Sequence, residues 1–201
     1  MTELEWLSGG ALVQMWDHIA HTTSERKVRL FGCAVFQFKA NISTRMTTPE
    51  DDHYNIVNTA ERYADGNITA AELRAVSDTI LRDEEGFDPA IAFYLTQPEA
   101  ILLRVTLRGC VRFGDGVMPA LFHELFGNPF RPAAFHSEWQ TDTVLAVARQ
   151  MYESRDFSAM PILADALQDA GCENEDILNH CRGAGPHVRG CWVVDAILGK
   201  A

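Results

Sequence analysis

The residues best suited to chemistry lie in one stretch near the C-terminus, HCRGAGPHVRGCWVVD, residues 180–195. It contains two histidines, two cysteines and two arginines around three glycines and a proline. Thiolates and imidazoles are the ligands of structural zinc, and a cysteine beside a histidine can act as a nucleophile with its base. The stretch therefore raises three hypotheses: a metal site, a thiol-dependent catalytic site, or a structural turn that holds the last helix.

A zinc site would take four ligands from the cysteines and histidines of this region. The candidates are Cys172, Cys181, His187 and Cys191, with His180 as a further candidate. Strong zinc signatures bring two ligands close together on a tight turn, and do so twice. Here His180 and Cys181 are adjacent, so on a helix their side chains point about 100° apart. We therefore expect no metal ion and no other cofactor, and keep zinc binding as an alternative function of this turn.

The thiol hypothesis depends on Cys191, which is expected in or near the first turn of the final helix. The partial positive charge of a helix N-terminus, with Arg189 and His187 nearby, would lower the pKa of this thiol. The sequence identifies neither an orienting group nor oxyanion donors for such a pair. We therefore assign no catalytic residue, and a thiol-dependent small-molecule activity stays an alternative.

The structural hypothesis accounts for every residue type in the stretch, and we favour it. The glycines allow the backbone of a compact turn, and Trp192 offers a large apolar surface to neighbouring helices. His187 and Arg189 can bind carbonyl groups at helix ends or acidic side chains. Asp195 is the only charged residue of an apolar run, and we expect it to pair with an arginine because an unpaired buried carboxylate is costly.

A second group of charged residues lies on one predicted helix. Arg104, Arg108 and Arg112 are spaced by four residues, so their guanidinium groups share one helix face. Such a face could hold an anionic ligand. Because the chain is acidic, we expect instead that the face is paired with carboxylates or solvated.

The elements that must position these residues are helices. Apolar side chains recur at helical spacing, and capping residues and glycines stand at the ends of the segments. Residues 24–42 form the most apolar helix, which we expect at the centre, and residues 143–171 have the pattern of an αα-hairpin. No run alternates apolar and polar residues as a strand would. The sequence predicts an all-α fold, an irregular multi-helix globular bundle with αα-hairpins.

Local capping signals support this fold class. Thr2 with Glu5, and Thr69 with Glu72, have the spacing of capping boxes. Asn174 is expected as the N-cap of a short helix before the chemically rich stretch. We expect a single all-α domain over residues 1–201, with a candidate subdivision near 83–89, where charge, glycine and proline coincide.

Composition bounds the class of protein. The chain has 201 residues, 47% of them hydrophobic, and a formal net charge of −11. This supplies a packed core, and the negative charge disfavours nucleic acid and anionic membrane surfaces as partners. No segment approaches the roughly 18 uninterrupted apolar residues of a membrane span, and the N-terminus lacks signal-peptide features. Together with five cysteines that no export signal accompanies, this predicts a cytoplasmic protein with reduced thiols.

Several strings along the chain carry a resemblance to a known family. They are TELEWL at 2–7, SERKVRLFGCAV at 24–35, AERYADG at 60–66, LFGNPFRP at 125–132 and the run 162–200, which contains HCRGAGPHVRGCWVVD. In these motifs the chain resembles a large paralogous family of small planctomycete bacterial proteins that has no assigned activity. The resemblance implies a bacterial protein built as a single unit. Because such segments can be fused to other modules, it favours an interaction role by association.

Two function hypotheses follow. The first is a non-enzymatic helical interaction or scaffolding module whose partner is another protein. The alternative is a zinc-binding or thiol-dependent small-molecule activity at the C-terminal Cys/His turn. An enzyme needs a concave polar pocket with converging titratable groups, whereas an interaction module needs an exposed apolar patch.

Overall fold

The computed structural model describes residues 1–39, 52–80, 89–112 and 116–200. In these ranges the chain forms twelve α-helices, one 3₁₀ turn at Ser137–Trp139 and no β-strand, which confirms the all-α fold class. None of these helices has the length and apolar character needed to cross a membrane. The helices are α1 (Glu3–Ser8), α2 (Leu12–Ile19), α3 (Glu25–Lys39), α4 (Asp52–Ala64), α5 (Ala70–Ile80), α6 (Pro89–Leu95), α7 (Ala100–Arg112), α8 (Met118–Phe126), α9 (Asp142–Ser154), α10 (Met160–Asp169), α11 (Glu175–Arg182) and α12 (Trp192–Leu198).

The chain divides into two compact units. The N-terminal unit is Met1–Leu121 and the C-terminal unit is Phe122–Ala201. The division lies within α8. Of the candidate subdivision near 83–89, residues 83–88 lie outside the residues that the structure describes.

The capping residues predicted from the sequence start their helices. Oγ1 of Thr2 accepts from the backbone N–H of Glu5, whose carboxylate accepts from the backbone N–H of Thr2. Thr69 and Glu72 make the same reciprocal pair at the start of α5. The side chain of Asn174 accepts from a backbone N–H in the first turn of α11. Each cap satisfies donors that the helix itself leaves unpaired.

The core of the N-terminal unit is built around α3, as its apolar sequence predicts. This helix packs against α4, α6 and α7. It buries Val28, Phe31 and Val35 on one stripe, and Trp16 of α2 stacks on Phe31 with ring centroids 5.6 Å apart. Burial of such large apolar side chains supplies the main free energy of folding for this unit.

Arg29 is a buried cation on the same helix. Its Nη1 donates to the carbonyl oxygen of Leu95 at 2.6 Å, and its Nη2 donates to that of Pro98 at 2.9 Å. The guanidinium group also lies 4.9 Å from the ring centroid of Tyr63. Carbonyl groups at the C-terminus of a helix carry partial negative charge and compensate the buried cation. Arg29 therefore fastens the connection between α6 and α7 to α3.

The three arginines of α7 have separate environments. Arg104 donates to two backbone carbonyls that follow α2, at 2.6 and 2.8 Å. Arg108 forms a bidentate ion pair with Asp17 at 2.7 and 2.8 Å. Arg112 is exposed. Because two of the three guanidinium groups hold α7 against α2 and the residues after it, this face is not an anion site.

The core of the C-terminal unit is formed by α9, α10, α11 and α12. The helices α9 and α10 pack as the αα-hairpin expected from residues 143–171, and α12 packs against α9 and α11. The N-cap residue of α9 is Thr141, whose side chain accepts a hydrogen bond from the backbone N–H of Val144. Residues buried in this core include Val144, Ala148, Met151, Leu163, Leu167, Cys172, Ile177, Cys181, Cys191, Val193, Val194 and Ile197.

Candidate metal centre

Four side chains with metal-ligating atoms meet in the C-terminal unit: those of Glu124, His180, His187 and Cys191. One ligand atom from each residue lies within 4.8 Å of the other three. Nε2 of His180 lies 3.1 Å from Oε2 of Glu124 and 3.2 Å from Sγ of Cys191. Nδ1 of His187 lies 3.0 Å from the same Oε2. We call these four residues the Glu124 cluster.

Two helices and the segment that connects α11 to α12 supply the Glu124 cluster. Glu124 lies in α8 and His180 in α11. His187 lies in the glycine-rich segment between α11 and α12, and Cys191 is the N-cap residue of α12. The cluster therefore depends on how these elements pack within the unit, and not on the spacing of its members along the chain.

Glu124 is a buried carboxylate with a complete set of donors. Its side chain is 2% exposed. Oε1 accepts from the backbone N–H of Val188 at 3.0 Å, and Oε2 faces the two imidazoles. Burial by itself raises the pKa of this carboxyl, but the hydrogen bonds from His180 and His187 outweigh it and hold the pKa below its ordinary value. Glu124 thus offers a negatively charged carboxylate oxygen at the centre of the cluster.

The ring of His187 is oriented by a second contact. Its Nε2 lies 3.2 Å from the carbonyl oxygen of Gly183, the residue that ends α11. With an ion bound, a ring that keeps its hydrogen on Nε2 would donate to this carbonyl and would present the lone pair of Nδ1, the nitrogen that faces Glu124, to the ion. Such outer hydrogen bonds, which fix the tautomer and the ring plane, are typical of metal-binding histidines.

Cys191 is completely buried. Burial raises the pKa of its thiol well above the ordinary value, and the nearby Glu124 carboxylate adds to this. The N–H groups of Val193 and Val194 at the start of α12 act in the opposite direction without outweighing burial. The lowered pKa expected at a helix N-terminus is therefore wrong for Cys191. Burial, which the mostly apolar residues 192–198 also favour, and the neighbouring Glu124 carboxylate outweigh the position at the helix N-terminus.

The structure brings together three of the five zinc candidates named from the sequence, His180 among them. His187 and Cys191 belong to the Glu124 cluster. Cys172 and Cys181 lie in the hydrophobic core of the C-terminal unit, and burial raises the pKa of Cys181 to about 12. His180 faces the cluster while its neighbour Cys181 faces the core, as the angle between adjacent helical residues requires.

Glu124 is the cluster member that the sequence analysis missed. The zinc hypothesis takes its ligands from the cysteines and histidines of the C-terminal region, and Glu124 lies far before them in the chain. A signal was present in α8, MPALFHELF, where Glu124 is the only carboxylate in a mostly apolar helix. Glu124, like Asp195, is a carboxylate among apolar residues, and such a carboxylate needs a partner when it is buried.

The residues expected to fasten the last helix lie close to the cluster. Trp192 is partly buried, packs against the core of the unit and has its ring centroid 5.2 Å from that of His180. The guanidinium group of Arg189 lies 4.4 Å from the ring centroid of Tyr152. Asp195 is buried, and its pairing with an arginine stays a prediction.

A cleft of about 310 Å³ in the N-terminal unit is a separate feature. It lies beside the start of α3 and the end of α4 and is lined by Glu25, Arg26, Arg29 and Tyr63, among others. Its cations are already used: Arg26 forms an ion pair with Asp65 at 3.0 Å, and Arg29 binds the backbone carbonyls described above. The cleft therefore lacks the converging polar groups that would assign it a ligand.

Comparison with known proteins adds nothing to this geometry, since no family model, no curated protein and no solved structure matches the chain.

Proposed function

We propose that the C-terminal unit binds one divalent transition-metal ion, zinc by its ligand types, through Glu124, His180, His187 and Cys191. The observation that carries the proposal is the meeting of four ligand atoms within 4.8 Å. Zinc bonds to these atom types are about 2.0–2.3 Å long, so a tetrahedral site sets its ligand atoms about 3.3–3.6 Å apart. Around an ion the contacts of 3.0, 3.1 and 3.2 Å would open slightly, and the wider separations between ligand atoms, which are at most 4.8 Å, would close.

The charge and type of the ligands also match this class of ion. One thiolate and one carboxylate contribute two negative charges, and two neutral imidazoles complete the set. A divalent ion therefore gives a buried site with no net charge, which avoids the cost of an uncompensated buried charge. Sulfur and nitrogen ligands favour zinc and related transition metals over magnesium and calcium, which take oxygen ligands.

A structural role fits the closed ligand set. Catalytic zinc sites keep a position open for water or substrate, whereas structural sites are filled by four protein ligands. Here four protein side chains surround one position, and those of Glu124 and Cys191 are fully buried. The expectation that the protein binds no metal was based on spacing along the chain. That rule describes tight turns that supply two ligands each, and not a site to which the distant helix α8 adds a carboxylate.

The predicted cytoplasmic location is consistent with this function, and we keep it as part of the proposal. All five cysteines are buried thiols. In a reducing compartment Cys191 stays available as a thiolate ligand and does not enter a disulfide.

Metal analysis of the purified protein tests the proposal. Protein prepared under reducing conditions without chelator should contain about one zinc ion per chain, and cobalt exchanged into the site should show thiolate-to-metal charge transfer. Cys191→Ser should lose the ion and the charge-transfer band. Cys172→Ser is the matched control, because Cys172 is a buried cysteine of the same unit outside the cluster. Metal-free parent protein that also fails to bind added zinc, or equal zinc content in both variants, would contradict the proposal.

The interaction role predicted from the sequence is a second candidate, favoured by one face of α7. Ile101, Leu102 and Val105 are 65%, 51% and 66% exposed. Exposed aliphatic side chains are normally scattered, whereas three on one helix face form a patch of the kind that contacts other proteins. Val105→Lys should therefore release a partner protein that co-purifies with the tagged chain. Ile162→Lys is the control, since Ile162 is an exposed aliphatic residue on α10 and not part of this face.

A further inference from the structure

Residues 183–191 connect α11 to α12, and among them only Gly190 and Cys191 are buried. They contain no regular secondary structure apart from turns. Residues 183–185 are exposed and residues 186–189 are partly buried. Hydrophobic burial, the main source of stability for a chain segment, is therefore small here. Besides the contact of Arg189 with the ring of Tyr152, the anchors of this connection include polar contacts that converge on Glu124.

The four residues of the Glu124 cluster come from this connection and from two helices that precede it. Glu124 and His180 belong to α8 and α11, which precede the connection. His187 and Cys191 belong to the connection itself. Without an ion, the described contacts across the cluster are hydrogen bonds of 3.0 to 3.2 Å. A metal ion bound by all four residues would link the connection to both preceding helices through bonds to a single centre.

The helix that follows is poorly equipped to form by itself. It spans Trp192–Leu198, seven residues, and the side chain of its N-cap residue Cys191 makes no capping hydrogen bond. Isolated helices shorter than about 12–15 residues are marginal in water. The helix α12 therefore depends on docking its buried residues Val193, Val194 and Ile197 into the core of the unit. A metal bond at Sγ of Cys191 would fix the first residue of this helix.

We infer that the metal ion holds residues 183–199 in their folded position, so that occupancy of the site controls the docking of α12. The inference rests on the proposed metal site and adds the segment that the ion orders. When the ion is removed, residues 183–199 open more often, and the buried face of α12 becomes accessible. The helices α9 and α10 carry no ligand, and their contact with each other does not involve residues 183–199.

Hydrogen exchange of the full-length protein, followed by mass spectrometry, tests this inference. Chelator-treated protein is compared with the same protein loaded with zinc sulfate, and the zinc content of each sample is measured. An ion present at about 100 times its dissociation constant shifts an opening that releases it by roughly 100-fold. Amides of residues 183–199 should therefore exchange up to about 100 times more slowly with zinc. Peptides from α10 are the internal reference and should not change.

The outcomes separate the inference from the metal site itself. Zinc bound at one ion per chain, with unchanged exchange in residues 183–199, overturns the inference and leaves the proposed function intact. Equal slowing in α10 also overturns it, because the ion would then stabilise the whole unit. Failure to bind zinc overturns both. Cys191→Ser should lose the zinc-dependent protection and Cys172→Ser should keep it, while the parent comparison decides the question if Cys191→Ser does not fold.

Discussion

Replacing Gly127 with alanine should destabilise the protein more than the same change at Gly171. Gly127 follows α8 with φ of +61°, and a Cβ atom there would lie 3.2 Å from ring atoms Cγ and Cδ2 of Trp192. Gly171 has φ of +86°, and nothing lies within 4 Å of a Cβ at that position. Both changes force an L-residue into the left-handed region. Only the change at Gly127 also pushes against the indole.

The size of the effect follows from these two contributions. The left-handed conformation costs a non-glycine residue about 1–2 kcal/mol, and this is the whole expected cost of Gly171→Ala. Overpacking a filled position costs about 1–3 kcal/mol, and the lower end applies because the partly buried Trp192 can shift. We therefore expect about 2–3 kcal/mol for Gly127→Ala.

Urea unfolding followed by circular dichroism measures both variants, and a double variant isolates the contact with the indole. In a Trp192→Ala background, Gly127→Ala should cost no more than Gly171→Ala does in the parent. Equal free energies of unfolding for Gly127→Ala and Gly171→Ala in the parent protein would refute the reasoning. Because Trp192 directly follows Cys191, we also expect Gly127→Ala to weaken zinc binding by displacing the indole.

Two further predictions concern the N-terminal unit. Arg29→Met should destabilise the protein by about 2–6 kcal/mol in urea melts, because it leaves the buried carbonyls of Leu95 and Pro98 without their donor, each at a cost of about 1–3 kcal/mol. A cost below about 0.5 kcal/mol would contradict this role. The hydrogen bond from Arg108 lowers the pKa of Asp17 in the folded protein. The stability that this pair adds is therefore fully present above the unfolded-state pKa of about 3.9, and it is lost as the pH falls through the lower pKa of the folded state. Since both side chains are nearly half exposed, Asp17→Asn should lower the free energy of unfolding by only about 0.5 kcal/mol or less at pH 7 and not at all near pH 2. A larger loss of stability near pH 2 than at pH 7 would contradict this prediction.

Much of the helical architecture could be predicted from local sequence signals. The capping pairs at Thr2 and Thr69 and the N-cap at Asn174 are confirmed because a cap involves residues within one helical turn. The all-α class and the central position of α3 follow from apolar periodicity, which depends on the geometry of a single helix. These features require no knowledge of which helices are neighbours.

The Glu124 cluster could be predicted only in part. His187 and Cys191 stand out in the sequence as rare residue types in a glycine-rich stretch. The packing of α8 and α11 in the C-terminal unit determines how close these two residues lie to Glu124. It also determines that His180, and not Cys181, belongs to the cluster. The burial that raises the pKa of Cys191 depends on the same packing.

The helices, their capped ends and the stretch that holds the chemically distinctive residues can be recognised in the amino-acid sequence, because these properties arise between residues a few positions apart. Which of those residues share a site depends on how the helices pack. A carboxylate in α8 and an imidazole in α11 come into contact through the packing of apolar helix faces, and many pairings of such faces are compatible with one sequence pattern. The ligand set of the proposed metal site is therefore a property of the packed unit, whereas the helices that carry it are a property of the chain.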